Sequence, residues 1–320
     1  MYTPGRSVSL ILKDDGYEPK QTIKFTNELK DKESVFALFS FVGTPTSKQA
    51  VPIAREAKIP FISPFTGAEF LRNSRVNPHV VNLRASYYDE TRALVDLFVS
   101  QNKKKISVFK QYDSYGAAGE KGVSKALKNH KLKIHSIGKY KRNTVDVAEG
   151  VSEIAKTKPD AIIMIGAYKP CAKAIKAFRN NPDTKNADLA NISFVGTESL
   201  ISESGLEGEG VYISQVLPSP KFGESAIVKK YQKAVKNLGA DLSYTSFEGY
   251  LNAAAMAEAL KNAGPKLDRQ KFLKAYESLN IDLGGLFLKF DQKKRQAITK
   301  VFITKVEKGE AMPFKEVEVN

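Results

Sequence analysis

The stretch Ala161-Ile162-Ile163-Met164-Ile165 contains only apolar residues, and three of the five are β-branched isoleucines. A run of this length and composition is typical of a strand that is buried on both faces of a sheet. Further short apolar runs alternate along the chain with longer segments of helical periodicity. Those runs are residues 8–12, 35–39, 60–62, 80–83, 106–109, 132–135, 192–195 and 211–213. The alternation predicts an α/β fold in which helices cover parallel sheets.

The order of elements changes after Pro218. The region 224–279 contains consecutive helical patterns with no apolar strand run between them. Two strand patterns follow at 285–290 and 298–306, and the polar residues between them favour a tight turn. We therefore predict a block of helices and then a β-hairpin near the C-terminus.

Composition excludes several classes of protein. The chain has 320 residues, the length of about two domains that can each bury a core. No apolar run approaches the ~18 residues that a membrane-spanning helix requires. Cys171 is the single cysteine, so it cannot form an internal disulfide or a cysteine-based zinc site. Because the three histidines are also scattered, we predict no metal, no cofactor and no catalytic residues.

The formal net charge of +15 raises the question of nucleic-acid binding. The lysines are spread along helical segments together with Glu and Asp, and the tightest basic runs, 103–105 and 293–295, lie in predicted turns. Phosphate backbones require a concentrated basic stripe. We therefore predict a lysine-rich solvated surface and no nucleic-acid partner. Met1 is followed by Tyr2-Thr3-Pro4-Gly5, without the basic and apolar pattern of a signal peptide.

Two stretches approach the motifs of catalytic or nucleotide-binding proteins without matching them. The Gly-rich segment 115–122 follows a strand and opens a helix, but it lacks P-loop spacing and the first glycine pair of a dinucleotide fingerprint. The pair Asp14-Asp15 could act in acid–base chemistry or hold Mg²⁺, but no second ligand set accompanies it. We favour a capping role for Asp15 at the helix that begins near Pro19.

Polar and aromatic residues follow the carboxyl ends of the predicted strands, where open α/β sheets bind ligands. Each residue alone has a structural explanation, such as a helix cap or a packed ring. Their recurrence in chain order predicts that they line one ligand-binding crevice. The residues are Thr44, Thr46 and Ser47, then Thr66, then Tyr115, Tyr168 and Glu198.

At these residues the sequence resembles the Leu/Ile/Val-binding-protein family, the type I periplasmic substrate-binding proteins of ABC transporters. The resemblance extends from about Arg6 to Gly309. Each segment that carries it is short, and their order and spacing together make it specific. The segments are Asp14-Asp15-Gly16-Tyr17-Glu18-Pro19, Gly43-Thr44-Pro45-Thr46, Ile62-Ser63-Pro64-Phe65-Thr66-Gly67-Ala68, Asn82-Leu83-Arg84-Ala85, Asp113-Ser114-Tyr115-Gly116 and Phe247-Glu248-Gly249-Tyr250.

The resemblance implies two doubly wound parallel-sheet lobes joined by three crossovers, which we expect near 83–84, 216–218 and 282–284. Lobe 1 then comprises residues 1–84 and 219–282, and lobe 2 comprises 85–218 and 283–320. Relatives begin with a further strand and helix ahead of the segment that matches Gly5-Arg6. We therefore expect lobe 1 to be truncated at its N-terminus, with an export signal upstream in the complete gene product.

The resemblance also implies a ligand contact for particular residues of lobe 1. Thr44 and Thr66 match positions where the family holds a ligand carboxylate with hydroxyl and backbone N–H groups. Phe65 and Gly67 flank that contact. Further candidates in this lobe are Tyr17 and Thr46.

In lobe 2, Tyr115 and Tyr168 match positions where aromatic side chains close over the ligand. Glu198 matches a position where an acidic residue pairs with an α-ammonium group. When a zwitterion leaves water, each of its two charges must be paired with protein groups, because an unpaired buried charge costs several kcal/mol. Glu198 therefore favours an amino-acid-like ligand over a plain carboxylate.

The implied function is non-enzymatic capture of an amino acid or similar small polar solute between closing lobes, followed by delivery to the permease subunits of an ABC importer. The implied location is periplasmic or otherwise extracytoplasmic, and we expect the protein to act as a monomer. A ligand-sensing receptor module for a signalling partner is the alternative, because one fold serves both functions. An α/β enzyme with a dispersed site is a third reading of the same residues.

Overall fold

The computed structural model describes residues 7–291 and 293–318. The helices, in chain order, are α1 (Pro19–Asp31), α2 (Thr44–Glu56), α3 (Tyr87–Ser100), α4 (Ser114–Asn129), α5 (Ala148–Ala155), α6 (Tyr168–Asn180), α7 (Thr197–Ser204), α8 (Ala226–Asn237), α9 (Tyr244–Asn262) and α10 (Arg269–Glu277). The strands are β1 (Leu38–Phe39), β2 (Phe61–Ile62), β3 (Val80–Val81), β4 (Ile106–Gln111), β5 (Ile137–Tyr140), β6 (Ala161–Ile165), β7 (Asp188–Asn191), β8 (Tyr212–Gln215), β9 (Asn280–Asp282), β10 (Phe287–Lys289), β11 (Lys300–Glu307) and β12 (Glu310–Glu318).

The described chain divides into two compact units. Unit 1 comprises the described residues up to Arg84 together with Glu224–Leu242 and Ser246–Ile298. Unit 2 comprises Ala85–Gly223, Ser243–Thr245 and the described residues from Thr299 onward. The final passage from unit 1 to unit 2 therefore falls after Ile298, later than the crossover expected near 282–284.

Backbone hydrogen bonds explain this late passage. The Asn82 N–H donates to the Arg295 carbonyl at 2.8 Å, and the Ile298 N–H donates to the Leu83 carbonyl at 2.9 Å. Asn82 and Gln296 also form a parallel β-bridge. The segment 295–298 is thus paired with the end of unit 1 before the chain leaves that unit.

Unit 2 is built on a seven-stranded sheet with the order β12-β11-β8-β7-β6-β4-β5. The five strands from β8 to β5 pair in parallel, and β11 runs antiparallel to β8. All five residues of β6 are buried, and Ile162 and Met164 belong to a core cluster with Ile175 and Phe178 of α6. The α/β fold class expected from the Ala161–Ile165 run is confirmed.

Unit 1 contains a short parallel sheet with the order β1-β2-β3. Its core joins Leu38, Phe61 and Val80 from the strands to Ala50 and Ala54 of α2. The strand expected at 8–12 is absent from the described structure of this unit, and the prediction was wrong. Val8 is 63% exposed and Leu12 is 80% exposed, so neither has the burial that stabilises a strand.

The C-terminal hairpin was also predicted incorrectly. Residues Phe287–Lys289 pair antiparallel with Asn280–Asp282, and not with the later strand. The late strand β11 pairs with β12 and β8 instead. Sequence patterning missed β12 because its residues are mostly exposed or half-buried, which removes the apolar alternation on which strand prediction depends.

Two other strands lie beside their expected positions. β5 begins at Ile137, after the expected run 132–135. β7 ends at Asn191, and Ser193–Val195 forms a 3-10 turn that ends at Gly196 with φ +82°. The turn places Glu198 at the start of α7, whereas the sequence predicted it just beyond a strand at 192–195.

Candidate functional site

The threonines predicted to hold a ligand carboxylate are in contact within unit 1. Thr44 is the first residue of α2, and Thr66 lies in the loop after β2. Their Oγ1 atoms are 2.7 Å apart, and both side chains are buried. Either hydroxyl can donate this hydrogen bond, so the proton of the other hydroxyl remains available to an acceptor such as a carboxylate.

The first turn of α2 adds a second feature that suits an anion. The first N–H groups of a helix have no partner inside the helix, and the helix dipole places partial positive charge there. Thr46 lies in this turn, and its hydroxyl donates to the carbonyls of Val42 and Gly43, the latter at 3.0 Å. Thr46 therefore anchors the turn with its hydroxyl proton, while Thr44 has its hydroxyl directed at Thr66.

A tight contact between Gly43 and Tyr17 shapes this end of α2. Gly43 precedes the helix with φ +93°, and a Cβ atom added there would lie 2.1 Å from Cε2 of Tyr17. Tyr17 is held in turn by Asp15, whose carboxylate accepts from the Tyr17 N–H at 2.9 Å and from the Thr22 hydroxyl at 2.5 Å. Asp15 thus organises the start of α1, in agreement with the structural role favoured from the sequence.

Phe65 lies over a buried arginine. The guanidinium carbon of Arg84 is 4.8 Å from the centre of the Phe65 ring, within the range of a cation–π interaction. Arg84 is 1% exposed, and its Nε lies 3.7 Å from Oε1 of the buried Glu248. Gly67, between Thr66 and Ala68, is buried in the same loop. The loop therefore packs against the buried pair Arg84 and Glu248, which the sequence analysis did not assign to the site.

In unit 2, the candidate residues lie at the starts of helices that follow neighbouring strands. Tyr115 is in the first turn of α4, Tyr168 begins α6 and Glu198 is in the first turn of α7. These helices follow β4, β6 and β7, which are adjacent and parallel. Because parallel strands end at the same edge of a sheet, the three side chains start from one edge.

Tyr115 is packed into an aromatic group. Its ring centre is 4.6 Å from that of Phe194 and 5.4 Å from that of Tyr87. The Asp113 carboxylate accepts from the Tyr115 N–H at 2.8 Å and holds the start of the helix. Tyr115 is fully buried, whereas Tyr168 is half-buried and packs against the core cluster of unit 2.

Glu198 already has a protein partner. Its Oε1 accepts from the backbone N–H of Tyr244 at 3.0 Å. Burial raises the pKa of the half-buried Glu198 carboxyl, and the bond from Tyr244 acts in the opposite direction. A cation beside this carboxylate would be favoured, because it would offset the cost of burying the negative charge.

Sequence reasoning missed three residues beside this edge. Tyr87 begins α3, whose capping box joins Ser86 and Asp89, and Phe194 lies in the turn before Glu198. Glu90 is fully buried and accepts from the Ser193 N–H at 2.8 Å and from the Ser214 hydroxyl at 2.7 Å. The capping-box pattern could have been recognised in the sequence. The contact of Glu90 with Ser193 could not, because 103 positions separate the two residues.

Among residues 7–291 and 293–318, no group of three or more His, Cys, Asp or Glu side chains is placed to hold a metal ion. Cys171 is fully buried, and burial raises the pKa of its thiol to about 12, so it is not a reactive thiolate. Within the same described residues, every helix is too short or too polar to cross a membrane.

Comparison with known proteins identifies the family. The sequence matches the periplasmic binding protein family over residues 3–311, and the chain therefore belongs to that family. A possible leucine/isoleucine/valine-binding protein from Rhodopirellula baltica SH 1 is 33% identical, with a TM-score of 0.92 over 98% of this chain and 86% of that chain. The resemblance stated from the sequence is confirmed.

Two other solved structures share the fold. A substrate-binding periplasmic protein from Ralstonia solanacearum is 26% identical, with a TM-score of 0.90 over 98% of this chain and 90% of that chain. A solute-binding protein of an ABC transporter from R. palustris, in complex with benzoate, is 18% identical, with a TM-score of 0.88 over 98% of this chain and 86% of that chain. No curated protein matches the sequence.

Proposed function

We propose that this protein is the solute-binding component of an ABC importer, and that it captures an amino acid or a close analogue without chemical change. The observation that supports this most directly is the buried contact of the Thr44 and Thr66 hydroxyls at the start of α2. It leaves a hydroxyl proton beside the positive end of a helix, which suits a carboxylate.

The cationic end of the proposed solute binds to residues of unit 2. Glu198, Tyr115 and Tyr168 hold the ammonium group and the adjoining carbon chain. The raised pKa of Glu198 supports this role, because a bound ammonium ion would stabilise the charged form of the half-buried carboxyl. The proposed solute therefore carries both a carboxylate and an ammonium group.

The ligand class can be tested by thermal-shift screening against amino acids, aromatic carboxylates such as benzoate, polyamines and sugars. A ligand at 100 times its Kd stabilises a fold by about 2.7 kcal/mol. That stabilisation raises the midpoint of unfolding by several degrees in a protein of this size. Stabilisation by amino acids but not by benzoate supports the proposal. Stabilisation by benzoate alone would contradict the proposal that the solute carries an ammonium group.

A matched pair of substitutions on α7 tests Glu198 itself. Glu198→Gln removes the charge from a half-buried side chain, and Glu203→Gln removes one from an exposed side chain on the same helix. We expect Glu198→Gln to weaken amino-acid binding by about 10-fold or more, the cost of losing a charge-assisted contact. Glu203→Gln should leave the affinity unchanged. Equal effects of the two would exclude Glu198 from the site.

The proposed partner is a membrane-bound permease, and the proposed location is the periplasm or another extracytoplasmic space. Membership of the periplasmic binding protein family supports both. Co-purification of the tagged protein with permease subunits supports the proposal. Co-purification with a receptor or kinase instead would favour a sensing role for the same fold.

A further inference from the structure

Arg72 lies directly after the loop that contains Phe65, Thr66 and Gly67. It ends the 3-10 turn Glu69–Arg72 of unit 1. Although it is charged, Arg72 is only 4% exposed, and one of its guanidinium nitrogens donates to the Ala68 carbonyl at 3.1 Å. The side chain therefore holds the end of the candidate ligand loop.

The same guanidinium reaches two of the segments at which the chain leaves unit 1. Its second terminal nitrogen donates to the Arg84 carbonyl at 2.9 Å, and its Nε donates to Oε1 of Gln296 at 2.7 Å. Gln296 donates onward to the Ile298 carbonyl at 2.9 Å. Arg84 and Ile298 each end a segment of unit 1 that is followed by a long segment of unit 2.

These two segments are themselves hydrogen-bonded to each other. The Asn82 N–H donates to the Arg295 carbonyl at 2.8 Å, and the Ala297 N–H donates to the Asn82 carbonyl at 3.1 Å. The Ile298 N–H donates to the Leu83 carbonyl at 2.9 Å. We call the paired segments 82–84 and 295–298 the exit ribbon. Because both strands of the ribbon are bonded together, a displacement of one moves the other.

We propose that Arg72 is a positioning residue that couples the loop Phe65–Ala68 to the exit ribbon, so that solute binding at the loop and the position of the ribbon influence each other. The coupling depends on the planar guanidinium, which directs separate N–H groups at the loop carbonyl, the Arg84 carbonyl and Gln296. An ammonium group cannot reproduce that geometry. The effect on binding rests on the proposed function, whereas the physical link does not.

Arg269 supplies a matched control within unit 1. Like Arg72, it donates from three nitrogens, but all three acceptors are backbone carbonyls: Phe36 at 3.0 Å, Val35 at 2.7 Å and Ala57 at 3.4 Å. None of these acceptors belongs to the loop or to the exit ribbon. Arg72→Lys and Arg269→Lys therefore remove similar sets of bonds from different places.

The link is tested without any ligand, by peptide-level hydrogen exchange on both variants. The Phe65 and Ile298 N–H groups donate to backbone carbonyls and are suitable reporters of the loop and the ribbon. We expect Arg72→Lys to speed exchange at least severalfold in both segments, and Arg269→Lys to change neither. Faster exchange in only one of the two segments, or an equal change in both variants, would overturn the link.

The effect on binding is tested with a solute found by the thermal-shift screen, at a temperature where both variants are folded. Arg72→Lys should raise the dissociation rate about 10-fold, and Arg269→Lys should change it by less than about 2-fold. An unchanged dissociation rate in Arg72→Lys would overturn the coupling to binding even where the exchange result holds. If no solute binds the unmodified protein, the proposed function fails, and the exchange experiment still decides the link.

Discussion

The hydroxyl oxygens of Thr44 and Thr66 lie 2.7 Å apart although 22 residues separate them in the chain. The contact depends on α2 beginning at Thr44 and on the loop after β2 returning to that point. Phe65 assists, because its carbonyl accepts from the Gly43 N–H at 3.1 Å. The two threonines therefore behave as one structural unit.

Replacing either threonine by valine should weaken solute binding while the fold is retained. Valine has the shape of threonine but no hydroxyl, so Thr44→Val or Thr66→Val leaves no hydroxyl pair to bind a carboxylate. A lost hydrogen bond to a charged group corresponds to about 1.5–3 kcal/mol, or roughly 10- to 100-fold in Kd. Titration calorimetry with the screened solute measures this. Thr26→Val, the same change at a buried threonine of α1, serves as the control.

Strands β4, β6 and β8 of the unit 2 sheet were predictable from the sequence because all of their residues are buried. The β6 run is apolar at every position and is flanked by helices, so its pattern alone identifies a parallel strand. The pairing of β10 with β9 was not predictable, because β9 has no fully buried residue and its partner is chosen by packing. Short exposed strands carry little sequence signal.

In the candidate site, too, some features were predictable from the sequence and others depended on the tertiary structure. Thr44, Thr66 and Tyr115 were predicted as ligand contacts because each lies in a short motif that follows a strand. Arg84 lies in one of the segments that carry the family resemblance, but its contact with Phe65 was not predicted. That contact depends on the direction of the side chain, which the sequence does not specify. The bond from the Tyr244 N–H to Glu198 joins residues 46 positions apart, and it requires the tertiary structure.

Thr22 and Thr26, one turn apart on α1, should respond in opposite ways to replacement by valine. The Thr22 hydroxyl donates to Asp15 at 2.5 Å, whereas the buried Thr26 hydroxyl has no hydrogen-bond partner among the described residues. Removing an unpaired buried hydroxyl relieves a desolvation cost, and removing a paired one loses a bond to a charged group. We expect Thr26→Val to raise the free energy of unfolding by about 1 kcal/mol and Thr22→Val to lower it by a similar amount.

Urea unfolding of both variants measures these changes in one experiment. Destabilisation by Thr26→Val would contradict the prediction, because it would mean that the hydroxyl has a partner in solution.

Gly43→Ala should destabilise unit 1 strongly. The φ of +93° disfavours any residue with a Cβ atom, and the added atom would meet Tyr17 at 2.1 Å. We expect a loss of at least about 2 kcal/mol in the free energy of unfolding. Gly249→Ala is the control, because Gly249 lies inside α9 and a Cβ atom there meets nothing within 4 Å. That change should stabilise by about 0.5–1 kcal/mol. Equal and small effects of the two would show that the turn before α2 can rearrange.

His79 should make unit 1 less stable as the pH falls. Burial lowers the pKa of His79 to about 4, with smaller contributions from the nearby Arg55 and Arg295 cations, while a bond to the Val51 backbone acts in the opposite direction. Nε2 has no hydrogen-bond partner within the described residues, so a proton added there would place an unpaired charge in the interior. The folded state therefore resists protonation that the unfolded chain accepts near pH 6.5.

Because the unfolded state binds more protons below pH 6.5, the free energy of unfolding should fall by up to about 2 kcal/mol between pH 7 and pH 5. His79→Gln keeps a side chain that can donate to the Val51 backbone but cannot titrate, so its stability should change less over this interval. Urea unfolding at both pH values, for both proteins, gives the comparison. His79 is buried and directly precedes β3. Most carboxylates titrate below this pH interval. A smaller change of stability with pH in the variant would therefore be due to the loss of the imidazole. Identical profiles would show that His79 protonates as easily in the folded protein as in the unfolded chain.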